Sequence, residues 1–243
     1  MRDDEYVKMF NLEDTHWWFA GKRRLVRALL DALPAHPPRP ILDVGCGTGG
    51  MFRVLTNYGR AYAVDMSALA IGLAARRQAA RLSRAALPVL PFASGAFEMV
   101  TAFDVLYHRR VEDDQAALRE IARVLVPGGH LIVTDSALGF LRSAHDEAYG
   151  AARRYTAGEL QQKLETAGFA VRRLSYANFF IFPLAALWRL ARRGVSAEKG
   201  SDLSATPTWL NALMGGVYRV EAALLRRVNL PIGTSIMAVA EKR

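Results

Sequence analysis

The stretch "ILDVGCGTGG", residues 41–50, is the most informative segment of the chain. An apolar run of strand type leads directly into a loop that is rich in glycine, and a helical pattern follows the loop. Glycines at such a point let the backbone turn sharply and let a ligand approach it closely. In open α/β sheets, ligands bind at the carboxyl ends of the strands. We therefore expect a ligand site where this first strand ends.

Three further apolar runs have the composition of strands that are buried on both faces of a parallel sheet. They are residues 61–65, 97–104 and 130–135. Stretches with apolar residues at helical spacing lie between them, at 49–59, 67–82 and 113–125. Strands that alternate with helices predict a doubly wound α/β sheet with right-handed crossovers.

The last third of the chain continues this pattern more loosely. Thr156 is a predicted N-cap, and Gly168 is a predicted end of the same helix. Strand-like runs follow at 169–176 and 233–243. The segment between these two runs is longer than a minimal sheet needs, and it contains a predicted helix over 207–228.

Composition and charge restrict the function classes. The net charge is +9 and the isoelectric point is about 10.0, which nucleic acid or an anionic membrane surface would explain. The basic residues are spread along the chain, which favours a general compositional bias. The single cysteine, Cys46, excludes an internal disulfide framework and favours a reducing compartment. The charged start, 1–10, lacks the apolar part of a secretory signal, so we expect a cytoplasmic protein.

The glycine spacing alone leaves two classes of ligand open. Gly45-x-Gly47-x-x-Gly50 satisfies the dinucleotide fingerprint, which would suit a nicotinamide-dependent oxidoreductase. Asp43, two residues before the first glycine, would repel a pyrophosphate and suits a cationic amino group. Asp65 ends the second strand, where a carboxylate can accept two hydrogen bonds from a ribose diol. S-adenosylmethionine carries the amino group, the ribose and a sulfonium, and it has no phosphate.

The segments "ILDVGCGTG", "AVDMS", "LPFASGAFEMVTAFDVLYH" and "REIARVLVPGGHLIV" together resemble the class I S-adenosylmethionine-dependent methyltransferases. The resemblance covers roughly residues 40–136. It implies a Rossmann-like, seven-stranded sheet whose last strand is antiparallel, with N-terminal helices over the cofactor. It also implies that Gly45, Cys46 and Gly47 contact the methionine portion of the cofactor, with Asp43 near the amino group. Asp65 would bind the ribose and Met66 the adenine, and Phe103 and Asp104 would lie at the reacting end.

The chain departs from many members of this family at the adenine site. They have an acidic residue shortly before the "LPF" segment, and "RAALPVLPF", 84–92, has none. Adenine recognition would then depend on backbone groups, on Ser94 or on apolar contact.

The cluster "THWWFAGKRR", residues 15–24, has three interpretations. It could be a hydrophobic staple for the following helix, an anchor at a membrane surface, or a lid over the cofactor. We favour the lid, with a cation such as Arg23 or Arg24 pairing with the cofactor carboxylate, and we assign Arg24 to that contact. The predicted organisation has an N-terminal helical lid, a core and a helical insertion that is a substrate lid or an interface. The ranges are 1–39 for the lid, 40–175 with 229–243 for the core, and 176–228 for the insertion.

His108 and His145 are the candidate general bases, because histidine titrates near neutral pH. The alternatives are a loop-capping histidine for His108 and a polar loop pair with Asp146 for His145. No spacing of histidine, cysteine and acidic residues indicates a metal site. The apolar run 176–188, with arginines just after it up to 193, would wall an acceptor pocket, contact a membrane surface or form a homodimer interface.

We therefore expect methyl transfer by in-line displacement to an apolar or aromatic small molecule, such as a specialised metabolite or a lipid or glycan precursor. The rival activities are an RNA or protein methyltransferase and a non-catalytic subunit that binds the cofactor and a partner. The end of the fourth strand, "FDVLYH", lacks the Asn/Asp-Pro-Pro-aromatic signature of amino-methylating nucleic-acid enzymes. Nucleic acid is therefore not the favoured partner.

Overall fold

Seven strands form one sheet in the computed structural model, which describes residues 1–34, 39–77, 81–142, 144–191 and 203–243. The strands are β1 (Arg39–Val44), β2 (Gly59–Asp65), β3 (Leu82–Arg84), β4 (Phe97–Phe103), β5 (Leu125–Ser136), β6 (Phe169–Ala177) and β7 (Ser235–Lys242). Their order across the sheet is β3-β2-β1-β4-β5-β7-β6.

The direction of the strands confirms the predicted fold class. Strands β1 to β5 pair in parallel, whereas β7 lies antiparallel between β5 and β6. The chain order reverses at β1, whose neighbours are β2 on one side and β4 on the other. Such a reversal opens a crevice at the carboxyl ends of the strands. The short edge strand β3 was not predicted, because its three residues include no apolar run.

Nine α-helices lie in the described ranges. They are α1 (Asp3–Leu12), α2 (Trp17–Leu30), α3 (Phe52–Leu55), α4 (Ala68–Arg76), α5 (Asp114–Val124), α6 (Ala144–Tyr149), α7 (Ala157–Thr166), α8 (Phe182–Ala191) and α9 (Thr208–Leu225). Helix α7 begins at the predicted cap, where Thr156 and Glu159 form a capping box. Helix α3 is shorter than the predicted helix over 49–59, because the chain turns after Thr56 and enters β2.

The two faces of the sheet are covered by different helices. One face packs against α5 and α7, through side chains such as Leu118, Ile121 and Leu164. The other face packs against α2 and α9, through side chains such as Leu25 and Tyr218. Helices from the predicted lid and insertion therefore share one hydrophobic cluster with β1, and the division into the ranges 1–39 and 176–228 stays a prediction.

Helices α1 and α2 approach the sheet at different places. Helix α1 packs on α4, where Tyr6 meets Ala70 and Leu73 in a small buried cluster. Helix α2 packs along α9, and the Trp17 backbone N–H donates to Oδ1 of Asn211 at 2.9 Å. The N-terminal helices thus bridge from α4 to α9 across the end of the sheet.

Helix α8 exposes Leu184, Leu187 and Trp188 to solvent. Among the helices of the described ranges, none has both the length and the hydropathy that a bilayer-spanning segment needs. Of the basic residues predicted to follow this apolar run, Arg192 and Arg193 lie outside the described residues. The predicted membrane or homodimer contact through 176–193 stays a prediction.

Two helical glycines provide a test of the packing between α2 and α9. A Cβ atom at Gly21 of α2 would lie 2.5 Å from the ring of Tyr218, whereas one at Gly72 of α4 would meet no described atom within 4 Å. We expect Gly21→Ala to lower the free energy of unfolding by about 1–3 kcal/mol through overpacking. The matched variant Gly72→Ala should raise it by about 0.5–1 kcal/mol through helix propensity. Urea denaturation followed by circular dichroism measures both, and equal effects would contradict the packing described for Gly21.

Candidate functional site

A cavity of about 540 Å³ lies where β1, β2 and β4 end. The three strand ends contribute its floor, and α1, α2 and the residues before α9 contribute its walls. The lining residues from the strand ends are Val44, Gly45, Cys46, Gly47, Asp65, Met66, Phe103, Asp104 and Val105. The cavity therefore occupies the crevice that the reversal of strand order opens.

The glycine loop needs glycine for two different reasons. Gly45 has a φ of +71° and Gly47 a φ of +54°, a region that disfavours other residues. At Gly45 space is also missing, because a Cβ atom there would lie 2.4 Å from Cγ2 of Val105. The loop is held to the sheet by the N–H groups of Gly45 and Cys46, which both donate to the Val64 carbonyl. The backbone is thus fixed, and its glycines leave it without side chains where a ligand would contact it.

Asp65 joins the glycine loop to the end of β2. Its Oδ2 accepts the Gly47 N–H and its Oδ1 accepts the Ser67 N–H, both at 2.9 Å. Burial raises the pKa of Asp65, while the backbone donors at Ser67 and Gly47 act in the opposite direction. Each carboxylate oxygen retains a lone pair that a ligand in the cavity can use.

Asp43 is 1% exposed and lies beneath the loop. The Thr101 hydroxyl donates to its Oδ1 at 2.7 Å. Burial raises the pKa of Asp43 to about 7, and the hydrogen bond from Thr101 and the charge of Lys22 only partly counter that shift. A cationic group in the cavity would favour the ionised form of this carboxyl.

Lys22 is a site residue that the sequence reading missed. It reaches from α2 to the end of β4, where it forms an ion pair with Asp104 and lies 5.9 Å from the Phe103 ring centroid. Asp104 itself has a φ of +59°, which aims it away from the strand direction. Helical spacing could have indicated Lys22, because it lies four residues after Trp18 and therefore on the same face of α2. Both residues line the cavity.

The two predicted arginines point to different places. Arg23 lines the cavity, and its Nη1 donates to the Glu13 carbonyl at 2.8 Å. Arg24 is not among the lining residues of the described chain; its Nη1 would lie 3.7 Å from a Cβ atom at Gly215 of α9. The prediction that Arg24 contacts the cofactor is not supported by this geometry, because α2 turns that residue toward α9.

The aromatic cluster at the start of α2 packs against α9 and also lines the cavity. Trp17, Trp18 and Phe19 all line the cavity. The Trp17 ring also lies 6.1 Å from that of Tyr218, within the cluster shared with α9. His16 caps α2, because its Nδ1 accepts the Trp18 N–H. The cluster therefore packs against α9 and also lines one side of the cavity, and its role as a lid over the cofactor stays a prediction.

The two candidate bases have different outcomes. His108 lines the cavity, where its Nδ1 accepts the Arg110 N–H at 3.2 Å and its Nε2 lies 2.9 Å from the Met1 amino group, so both ring nitrogens have partners. Burial, followed by nearby positive charges, lowers the pKa of His108 to about 4. His145 lies in α6, and its side chain is outside the described residues. Asp146, its predicted partner, forms a buried ion pair with Arg154 at 2.8 Å.

The adenine end of the predicted site is apolar. Ala85, Ala86 and Leu87 line the cavity beside Met66. Ser94 is not among the lining residues, and its hydroxyl accepts a hydrogen bond from Arg123. Of the three alternatives for adenine recognition, the one that used Ser94 is therefore wrong.

The buried Asp43 carboxyl gives a prediction on pH. Its pKa is raised above the unfolded value near 4, so the folded state binds the extra proton and loses stability as pH rises toward 7. Asp43→Asn keeps an oxygen for the Thr101 hydroxyl and removes this titration. We expect the free energy of unfolding of the variant, relative to the native protein, to increase from pH 4 to pH 7. Chemical denaturation across that range measures it, and a constant difference would contradict the assigned pKa.

Comparison with known proteins places this site in a family. Residues 42–133 match a family described as a methyltransferase domain. The malonyl-[acyl-carrier protein] O-methyltransferase of Enterobacter lignolyticus is 36% identical over 115 residues, which cover 46% of this chain and 45% of that protein. The demethylmenaquinone methyltransferase of Mycolicibacterium vanbaalenii is 34% identical over 133 residues, which cover 54% of this chain and 57% of that protein. The chain thus spans about half the length of these curated relatives.

A solved structure extends the likeness of fold over nearly the whole chain. The S-adenosylmethionine-dependent methyltransferase of Thermotoga maritima superposes with a TM-score of 0.61 at 17% identity, covering 99% of this chain and 96% of that one. The sheet order, the glycine loop and the family match agree. Residues 42–133 therefore match a methyltransferase family, within a fold that the chain shares with an S-adenosylmethionine-dependent methyltransferase.

Proposed function

We propose that the chain binds S-adenosylmethionine in the cavity and transfers its methyl group to an apolar or aromatic small molecule. The observation that carries this proposal is the convergence of the glycine loop, Asp43 and Asp65 on one cavity beneath the aromatic start of α2. A loop without side chains and two buried carboxyls suit a ligand with an amino group and a ribose.

The residues that line the cavity fit this cofactor along its length. Asp65 would accept the ribose hydroxyls with the lone pairs that Gly47 and Ser67 leave free. Apolar contacts from Met66 and from residues 85–87 would surround the adenine. Gly45, Cys46 and Gly47 would line the methionine portion, with Asp43 behind them and Phe103 and Asp104 at the reacting end.

S-adenosylmethionine supplies a methyl group that is already activated on a sulfonium, so the protein mainly provides alignment and a site with little water. Trp17, Trp18 and Phe19 supply the exclusion of water, because all three line the cavity from one side. Lys22 and Asp104 neutralise each other at the end of β4, which keeps their charges from drawing water toward the reacting end.

We infer a modest role for His108 in this reaction. Its Nδ1 is occupied by a backbone donor, and its lowered pKa keeps the ring neutral at pH 7. Its Nε2 also has a partner, the Met1 amino group at 2.9 Å, so this geometry favours a positioning role for His108 over a role as a base. His145 remains a candidate base on its position in α6 alone.

The class of acceptor is inferred from the remainder of the cavity. Beyond the proposed cofactor contacts, its walls are mainly aromatic and apolar, and they also include Arg110 and the ion pair of Asp146 with Arg154. The aromatic, apolar and hydroxyl side chains include His16, Trp18, Phe19, Tyr107, Tyr149, Leu203, Leu210, Ser136 and Thr234. The curated relatives are named for malonyl-[acyl-carrier protein] and for demethylmenaquinone, and the second name agrees with an apolar, aromatic acceptor.

A titration tests the proposed cofactor. Isothermal calorimetry should show that the native protein binds S-adenosylhomocysteine and does not bind NAD. Asp65→Ala should weaken S-adenosylhomocysteine binding at least tenfold, since a charge-assisted hydrogen bond contributes about 1.5–3 kcal/mol. Glu112→Ala, an exposed carboxylate, is the matched control and should leave the affinity unchanged. Binding of NAD, or an unchanged affinity in Asp65→Ala, would overturn the assignment. A screen of apolar and aromatic acceptors with labelled methyl donor then tests transfer.

The neighbouring arginines test the lid. Arg23→Ala should weaken S-adenosylhomocysteine binding by about tenfold, because the cavity loses a cation that can face the cofactor carboxylate. Arg24→Ala removes the same charge one residue away, toward α9, and should bind as the native protein does. Calorimetry on both variants, with thermal unfolding as the control for folding, measures the difference. The opposite ranking would restore Arg24 as the carboxylate contact.

A further inference from the structure

Glu13 is a buried carboxylate at the edge of the cavity that the proposed function does not use. It follows the last turn of α1 and is 9% exposed. The Thr48 hydroxyl, inside the glycine loop, donates to its Oε2. Arg77, at the end of α4, lies with its Nη2 3.7 Å from the same oxygen. Burial raises the pKa of Glu13, and both partners counter that shift. The N-terminal segment thus contacts the loop through one side chain.

Gly50 is shaped to receive this carboxylate. A Cβ atom at Gly50 would lie 1.9 Å from Cδ and 2.0 Å from Oε1 of Glu13. Gly50 does not have the positive φ that Gly45 and Gly47 have, so its conformation does not require glycine. Close approach by Glu13 is therefore the reason in this fold why the third glycine of the spacing has no side chain.

Hydrogen bonds from two arginine side chains also hold the backbone around Glu13 in place. Arg77 donates from Nη2 to the Phe10 carbonyl at 2.6 Å, and its guanidinium lies 4.5 Å from the Phe10 ring centroid. Arg23 of α2 donates to the Glu13 carbonyl. The end of α1, the start of α2 and the end of α4 thus meet at the carboxylate that touches the loop.

We propose that Glu13 is a positioning residue for the cofactor. Its carboxylate holds the N-terminal helices against the glycine loop by contacting Thr48 and Gly50, and we call this contact the clasp. The proposal rests on the proposed function, because it concerns the same cavity. Without the clasp, α1 and the start of α2 lose their attachment to the loop. Trp17, Trp18 and Arg23 then no longer close the cofactor side of the cavity.

A double-mutant cycle on Glu13 and Gly50 tests the clasp. Glu13→Ala should weaken S-adenosylhomocysteine binding about ten- to hundredfold by calorimetry, the range expected for losing hydrogen bonds to a charged group. Gly50→Ala should do the same, because its Cβ displaces Glu13. In the double variant the smaller residue at 13 leaves room for the Cβ, so the two losses should not multiply. Glu13→Gln keeps the shape and an oxygen for Thr48, and it should recover most of the affinity.

The control variant is Gly72→Ala, which should change affinity in neither background. Hydrogen exchange separates positioning from stability: ligand should slow exchange in residues 3–30 of the native protein and no longer do so in Glu13→Ala. Multiplying losses in the cycle would mean that the loop or the ligand itself needs Gly50, and would overturn the proposal. Should Gly50→Ala not fold, the comparison of Glu13→Ala with Glu13→Gln decides alone.

These results also separate the clasp from the proposed function. A native protein that does not bind S-adenosylhomocysteine contradicts the proposed function. A native protein that binds it, with Glu13→Ala binding equally well, contradicts only the clasp.

Discussion

The hydrogen bond from the Gly47 N–H to the Asp65 carboxylate joins the ends of β1 and β2, and the remaining site is built around it. The bond helps to fix a loop with positive φ values, and it keeps a carboxylate at the mouth of the crevice. Parallel pairing of β1 with both β2 and β4 brings the third strand end, with Phe103 and Asp104, to the same place. The cavity thus follows from the reversal of strand order together with one fixed loop.

The enclosure of that cavity depends on residues far away in sequence. Helix α2 buries one side against α9 and the sheet, and turns Trp18, Lys22 and Arg23 toward the strand ends. Helix α1 rests on α4 and delivers Glu13 to the glycine loop. The same N-terminal segment therefore packs against the core and covers the cavity. An amphipathic helix can do both, because its apolar face contacts the core while side chains at the edge of that face can contact a ligand.

Charge distinguishes this loop from a dinucleotide site with the same glycine spacing. Carboxyls from Asp43, Asp65 and Glu13 lie beneath, beside and above the loop, and burial raises the pKa of each. Such a setting is unfavourable for a pyrophosphate and favourable for an amino group or a sulfonium. Four cationic side chains also line the described cavity: Lys22 and Arg23 from α2, Arg110 from the segment after β4, and Arg154. Lys22 is paired with Asp104 and Arg154 with Asp146, so the cavity contains charges of both signs, as a zwitterionic ligand end requires.

The sequence by itself determined the strands β1, β2, β4 and β5, the antiparallel end of the sheet through resemblance, and the loop that marks the ligand site. These features are local, since buried strands, caps and glycine turns each leave a pattern within about ten residues. Tertiary structure decided which other side chains reach the strand ends: Lys22, which pairs with Asp104, and Glu13, which contacts the glycine loop and which no pattern indicated. How α1 and α2 pack decides that Lys22 meets Asp104 and that Glu13 meets Gly50. Helical periodicity predicts which face of a helix is apolar, but it does not predict which distant segment packs against that face.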